Sequence, residues 1–156
     1  MDEFWSVLGN YYNLTDESKN LLGKLMRKTT LQKNEIYLYE GDIPKNAAFI
    51  RQGLLSYFYS DQNGNKVIKR FFSENNFVAS TSALINKSPS MFTIQALEET
   101  LIYQFNFNKF LDLVSSNHEI ALFYIKYLEK NWITNKELQE ITLKQQTAKQ
   151  TLFRFS

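Results

Sequence analysis

The 156-residue sequence contains no cysteine, one histidine, two prolines and five glycines. Without a thiol there is no disulfide, no thiolate nucleophile, no zinc–thiolate centre and no cysteine-ligated iron–sulfur cluster. The single histidine, His118, follows Ser116-Asn117 and precedes Glu119, where a helix starts, and reads as a first-turn surface residue. A Ser-His-Asp triad would need partners that the sequence does not place, and a two-histidine metal site has no second ligand. No catalytic residue and no metal ligand is therefore assigned, and the chain is not read as an enzyme. Long apolar runs are missing too: no stretch of about eighteen such residues exists to cross a membrane. The opening Met1-Asp2-Glu3-Phe4-Trp5 lacks the basic start and cleavage site of a secretory signal. A cytoplasmic protein with no membrane partner is expected. Eighteen basic against sixteen acidic residues leave a formal charge of +2, too small to argue for nucleic acid or an acidic surface by itself.

What is present is apolar and aromatic. A hydrophobic content of 44%, with 15% aromatic residues, is enough to close one core in a domain of common size. Phe4, Trp5, Val7 and Leu8, followed by a Thr15-Asp16-Glu17 cap before Leu21, Leu22, Leu25 and Met26, predict two packing helices. From Lys28 to Phe107 the pattern becomes short Tyr-, Phe-, Ile-, Leu- and Thr-rich segments broken by turn residues, which predicts an antiparallel β domain. Asn63-Gly64 predicts a tight hairpin with positive φ angles between 54–59 and 67–72. The spacing of turns gives about eight strands, suited to a sandwich, roll or barrel.

Beyond Phe107 the helical period returns. Residues 108–114 predict a short helix, and Ser116-x-x-Glu119 reads as a capping box opening a helix over about 117–147 with no Pro or Gly inside. Ala121, Ile125, Leu128, Trp132, Asn135, Gln139 and Thr142 line one seam, spaced alternately four and three. A helix of ~31 residues spans ~46 Å and outruns a small roll. Parallel self-association along this seam, with Asn135 setting the register, is therefore favoured over burial within one chain.

Two helices, a roll of about eight strands, a short helix and one long helix, in that order, resemble the cyclic-nucleotide-binding fold of the Crp/Fnr transcription regulators, a double-stranded β-helix or jelly roll. Glu40-Gly41-Asp42 looks like the family's early turn, and Ala48-Phe49-Ile50-Arg51-Gln52-Gly53-Leu54-Leu55-Ser56-Tyr57 resembles its strand pair. Asp61-Gln62-Asn63-Gly64-Asn65-Lys66 is similar to its Asp-x-x-Gly hairpin, and Glu74-Asn75-Asn76-Phe77-Val78 sits where Gly-Asp-x-Phe-Gly belongs. The likeness is greatest to the short regulators of Bacteroidetes-type bacteria. It implies three parts: helices, roll and short helix over 1–116, a dimerisation helix over 117–147, and over 148–156 the start of a connection to a DNA-binding domain. The implied partners are a second copy of the chain and DNA, the latter through a helix-turn-helix domain that this sequence does not contain. Truncation is favoured over a naturally short sensor, because Leu152, Phe153 and Phe155 would otherwise expose apolar surface.

Cyclic-nucleotide binders of this fold hold the phosphate with a short helix N-terminus, a Gly-Glu pair and an Arg, the Glu taking the ribose hydroxyl. The corresponding segment here is Phe77, Val78, Ala79, Ser80, Thr81, Ser82 and Ala83, followed by Met91, Phe92 and Thr93. Ala79 and Ser80 fall where Gly and Glu would be, and Met91-Phe92 where Arg and a small hydroxyl residue would be. Trp132 falls where the family offers hydroxyls to the purine. Without the charged anchors, each worth ~1.5–3 kcal/mol, cyclic AMP is disfavoured and no cofactor is assigned. Two readings stay open: these residues line a pocket for a less charged effector, or they fill it and the domain is a ligand-free dimeric interaction module.

Overall fold

The computed structural model describes residues 2–134 together with residues 144 and 145. Two helices open the chain, α1 (Asp2–Gly9) and α2 (Asp16–Leu25). Thr15, in extended conformation, caps α2 by accepting from the Ser18 N–H, as the sequence predicts. Strands β1 (Arg27–Leu31), β2 (Ile36–Leu38), β3 (Asn46–Gln52), β4 (Leu54–Ser60), β5 (Lys66–Ser73) and β6 (Phe77–Val78) follow. Helix α3 (Thr81–Asn86) precedes β7 (Thr93–Ala96) and β8 (Thr100–Asn106); α4 (Phe107–Ser116) and α5 (His118–Leu128) then lead into a π-helical segment, Glu129–Thr134.

The strands form two four-stranded antiparallel sheets, ordered β1-β8-β3-β6 and β2-β7-β4-β5. This is the expected jelly roll with flanking helices. Between the sheets lie Leu31, Ile50, Leu55, Phe72, Val78, Ile94 and Ile102. The outer face of the first sheet is buried as well: Ala47, Phe49, Tyr103 and Phe105 pack against Phe4, Leu8, Leu22, Phe110, Ile120 and Phe123 of the helices. Side chains alternate across a strand, so a sheet covered on both faces reads as an unbroken apolar run. That is why Ala47, Ala48, Phe49 and Ile50 are all buried. Phe4 meets Phe49 edge-on at 4.8 Å between ring centres, and Arg51 Nη1 pairs with Glu3 Oε2 at 2.8 Å, fixing α1 on β3.

Two local expectations are corrected. The β4–β5 hairpin exists, but its connection is the loop 61–65 rather than a tight Asn63-Gly64 turn; Gly64 takes φ +80° while Asn63 stays outside the positive-φ set. The Asp61 carboxylate closes this loop by accepting from the N–H groups of Asn63 (2.9 Å) and Asn65 (2.8 Å), the local bonding that Asp offers in turns. The Ser116–Glu119 capping box does not form either. Helix α4 runs through Ser116, whose hydroxyl donates to the Asp112 carbonyl, and the linking Asn117 caps α5 by accepting from Ile120 N–H at 3.0 Å.

Glu119 is thereby freed to reach across the fold. Its carboxylate accepts from Thr15 N–H (3.1 Å), Thr15 Oγ1 (2.6 Å) and Ser18 Oγ (2.6 Å), closing the N-terminus of α2. His118 is exposed in the first turn of α5, as expected. The helix expected over 117–147 is α-helical from His118 to Leu128 and then loosens into the π-helical segment. A π segment shifts Glu129–Thr134 relative to the α phase of α5. Asn135, Gln139, Thr142 and the side chain of Trp132 lie outside the described residues.

Two outcomes follow from this packing. The hydroxyls of Ser18 and Thr15 hold the Glu119 carboxyl below its ordinary range. Stability from this clamp is present above the unfolded glutamate pKa, ~4.3, and is lost as pH falls through the lower folded value. Glu119→Gln should flatten that acid-side decline in melting temperature, measured by circular dichroism at pH 7 and at pH 3. Gly53, at φ +121°, joins β3 to β4, and a Cβ there would stand 2.7 Å from Thr100 Cα. Gly53→Ala should cost ~2–4 kcal/mol in urea denaturation, from the steric and φ penalties together.

Candidate functional site

Helix α3 and the strand ends around it form the segment where the sequence places a ligand cassette. Ser80, the residue before α3, is buried and makes no side-chain cap bond to the helix. Its hydroxyl accepts instead from Ser90 Oγ at 2.9 Å, while Ser90 Oγ also lies 2.7 Å from the Phe92 carbonyl and 3.2 Å from the Phe92 N–H. The buried serine pair thus pins the turn entering β7. It aims Phe92 onto Tyr57 of β4, stacked with ring centres 4.2 Å apart and planes at 22°, and Phe72 closes on the same tyrosine edge-on at 5.8 Å. Burial raises the Tyr57 phenol above its usual range, opposed by a hydrogen bond with Ser80 and by the Arg70 charge, so the phenol stays protonated at neutral pH.

The predicted pocket residues divide. Phe77, Val78, Ala79 and Thr81 line an apolar cleft between the roll and the helices, with a volume of about 70 Å³. Across it stand Phe105, Phe110, Tyr124, Tyr127 and Leu128, with Leu22 and Met26 of the N-terminal layer closing one side. Phe77 meets Tyr127 edge-on at 5.3 Å, and Phe110 meets Tyr124 at 5.2 Å. Burial pushes both phenols up, Tyr127 far above the ordinary range; the lining is therefore uncharged. Of the remaining residues, Ala83 is core, Thr93 is buried with Oγ1 accepting from Glu40 N–H at 3.0 Å, and Ser82 is exposed with its Oγ 3.2 Å from Asn86 Nδ2. Met91 is 75% exposed and does not join the site.

Along α5 the core-facing positions are Ile120, Phe123, Tyr124 and Tyr127; of the predicted seam, Ala121 and Ile125 lie off that line, while Leu128 joins the lining of the cleft. Ala121 and Leu128 are half-buried and Ile125 is 49% exposed. Asn131 Nδ2, inside the π-helical segment, donates to Tyr11 Oη at 3.0 Å and to the Tyr127 carbonyl at 3.1 Å. The cleft therefore abuts the point where α geometry ends. Sequence reading missed Tyr57, Ser90, Tyr124 and Tyr127. The spacing of Phe123 and Tyr127, one helical turn apart, carries a signal for the last; nothing local marks Ser90, because its partner Ser80 lies across a loop.

The two-sheet roll, with a short helix directly after its sixth strand and helices packed against one face, is a jelly roll of one recognisable kind. The chain belongs to the cyclic nucleotide-binding domain family, which residues 28–117 match. Its fold is similar to that of a cyclic nucleotide-binding domain from Methylobacillus flagellatus, at TM-score 0.71 and 13% identity over 99% of this chain and 83% of that one. It is also similar to the catabolite activator protein of Thermus thermophilus (TM-score 0.69, 14% identity, 88% of this chain), of which it spans 63% of the length. The sensor domain of the transcriptional regulator DNR from Pseudomonas aeruginosa aligns at TM-score 0.67 and 16% identity, over 84% of this chain and 86% of that one. An uncharacterized protein from Haemophilus influenzae is 23% identical over 99 residues, 64% of this chain and 76% of that one. At such identities the structural likenesses concern the fold alone.

Because Ser90 satisfies both the Phe92 N–H and Ser80, Ser90→Ala should leave a buried donor unpaired and cost ~1–3 kcal/mol in chemical denaturation. The loss should appear together with a weakened near-ultraviolet dichroism signal from the displaced Tyr57–Phe92 stack.

Proposed function

We propose that this chain is the effector-sensing and dimerisation part of a Crp/Fnr-type transcription regulator, of the kind found in Bacteroidetes-type bacteria, that does not respond to cyclic AMP. The observation that carries this reading is the state of the cassette: Ser80 is bonded by Ser90 and by the Tyr57 phenol, Ser90 also holds the Phe92 backbone, and Phe92 lies stacked on Tyr57. A cyclic phosphodiester would find Ser80 where the fold's Glu stands and Met91-Phe92 where its Arg enters, with the nearby Arg70 guanidinium lying over the Phe72 ring. Two lost charge-assisted bonds correspond to roughly 10²–10⁴ in affinity.

The apolar cleft supports a different effector, small and uncharged, seated between Phe77 on the cassette side and Tyr124, Tyr127 and Leu128 on α5. Occupancy there would bear on α5 beside the π-helical segment, and through it on helix pairing, provided the two dimer states differ in affinity for the effector. In this reading residues 1–116 form the sensor, 117–147 the dimer helix with Ala121, Ile125, Leu128, Trp132, Asn135 and Gln139 at the interface, and 148–156 the lead into a helix-turn-helix domain. The setting is cytoplasmic. A second reading, a ligand-free homodimeric module, draws on the small cleft volume of about 70 Å³, well below the ~300 Å³ at which typical ligand pockets begin.

Three measurements test these statements. Calorimetric titration with cyclic AMP should give no saturable heat below about 1 mM, against the micromolar range that an intact phosphate site provides; tight binding would overturn the cassette argument. Sedimentation should find a dimer that Ile125→Glu dissociates at least tenfold more readily, and a monomeric wild-type chain would remove the dimer assignment. A thermal-shift screen of small uncharged metabolites should raise the melting temperature in the sensor reading and leave it unmoved in the module reading.

A further inference from the structure

The inward-facing positions of the first sheet change character along its strands. Strand register places Thr29 beside Ile102, Ala48 beside Gln104 and Asn46 beside Asn106. Ile102, Ile50 and Leu31 therefore fill the middle of the roll, while Thr29, Gln104 and Asn46 line one end of it. Gln104 Nε2 donates to Thr29 Oγ1 at 2.9 Å, so two of these groups are already oriented towards one another. This end opens between β1 and β2, each the edge strand of its own sheet, and it holds a cleft of about 590 Å³. That volume falls within the range of small-molecule sites, unlike the narrow apolar cleft on the helix side.

Tyr37 forms part of the lining. It sits where the β2–β7 register slips, Ile36 facing Gln95 and Leu38 facing Ile94. A bulge of this sort re-aims one side chain at a cost in strand pairing. Here the re-aimed residue packs on the roll core, and its buried hydroxyl has no hydrogen-bond partner among the described residues. A buried hydroxyl left unpaired costs ~1–3 kcal/mol, so such a group needs a reason. Burial holds the phenol protonated, against the opposing charge of Arg27, and it keeps both a proton to donate and lone pairs to accept with. The lining carries Glu35 and Asp42 against Lys45, with the Arg27 charge acting on Tyr37 from nearby, so no positive excess is present to hold an anion.

We infer that this mouth of the β-roll is a second binding site, separate from the cassette, for a small neutral polyhydroxylated ligand such as a monosaccharide or polyol. Amides and hydroxyls that both donate and accept match the alternating demands of sugar hydroxyls. The Tyr37 ring with Ile43 and Pro44 gives an apolar surface for the C–H face of such a ligand. A ligand hydroxyl drawn between the two edge strands would supply the partner that Tyr37 lacks. The site does not rest on the effector reading of the apolar cleft and stands or falls without it.

The test is a titration of the 156-residue chain with D-ribose, D-glucose and myo-inositol, with phosphate and citrate as charged comparators, followed by calorimetry and by amide chemical shifts. At least one neutral polyol should saturate below about 10 mM and shift the amides of Thr29, Tyr37, Asn46 and Gln104. Tyr37→Phe and Thr29→Val, both near-isosteric, should each weaken that binding about tenfold, with a melting temperature equal to or above that of the wild type for Tyr37→Phe and a lower one for Thr29→Val, which takes the acceptor from Gln104. Absence of saturable shifts for every polyol at about 50 mM, preferential binding of phosphate or citrate, or unchanged affinity in both variants would each overturn the inference.

Discussion

The structure depends on the first sheet being covered on both faces. Its inner face closes the roll with Ile50, Val78 and Ile102, and its outer face carries Phe49, Tyr103, Phe77 and Phe105 under the helical layer. Aromatic contacts then run without interruption from Phe4 through Phe49 and Phe77 to Tyr127 and on to Tyr11. Edge-to-face packing of this kind adds ~0.5–1.5 kcal/mol per pair beyond area burial, and it constrains angle as well as distance. The N-terminal helices, the roll and α5 are therefore held as one packed unit. Glu119, bonded to Thr15 and Ser18, fixes α5 to α2 from the polar side.

That arrangement places the two clefts in different mechanical settings. The apolar one lies in the seam between roll and helices, so anything that changes its packing must act on Phe77, Tyr127 or Leu128. The polar one lies at the open end of the roll, bounded by two edge strands and away from α5. At the turn entering β7, Phe92 stacks on Tyr57 beside a buried serine pair.

Much of this was legible in the residues. The run Ala47–Ile50, the turn residues at close intervals and the Thr15 cap mark a roll behind two helices, and eight strands appear among the described residues as expected. The exposed Ile125, off the core-facing line of Ile120, Phe123 and Tyr127, was legible from helical spacing. Which side chains of the segment 77–93 meet was not legible. Spacing alone cannot tell whether Phe92 opens a pocket or fills one, because that depends on Tyr57, which lies 35 positions earlier and meets Phe92 only through the β4–β7 pairing.

Local pattern by itself determined the element types and the alternation of faces, because these follow from residue order at a period of two or 3.6. Tertiary structure alone decided that Glu119 caps a distant helix instead of its own, that Ser80 accepts from Ser90, and that Tyr37 is turned inward at a bulge with no partner for its hydroxyl among the described residues. Each of those outcomes is a competition between partners far apart in the chain. Such competitions are settled by which groups the packing brings within about 3 Å, a distance that no local sequence window encodes.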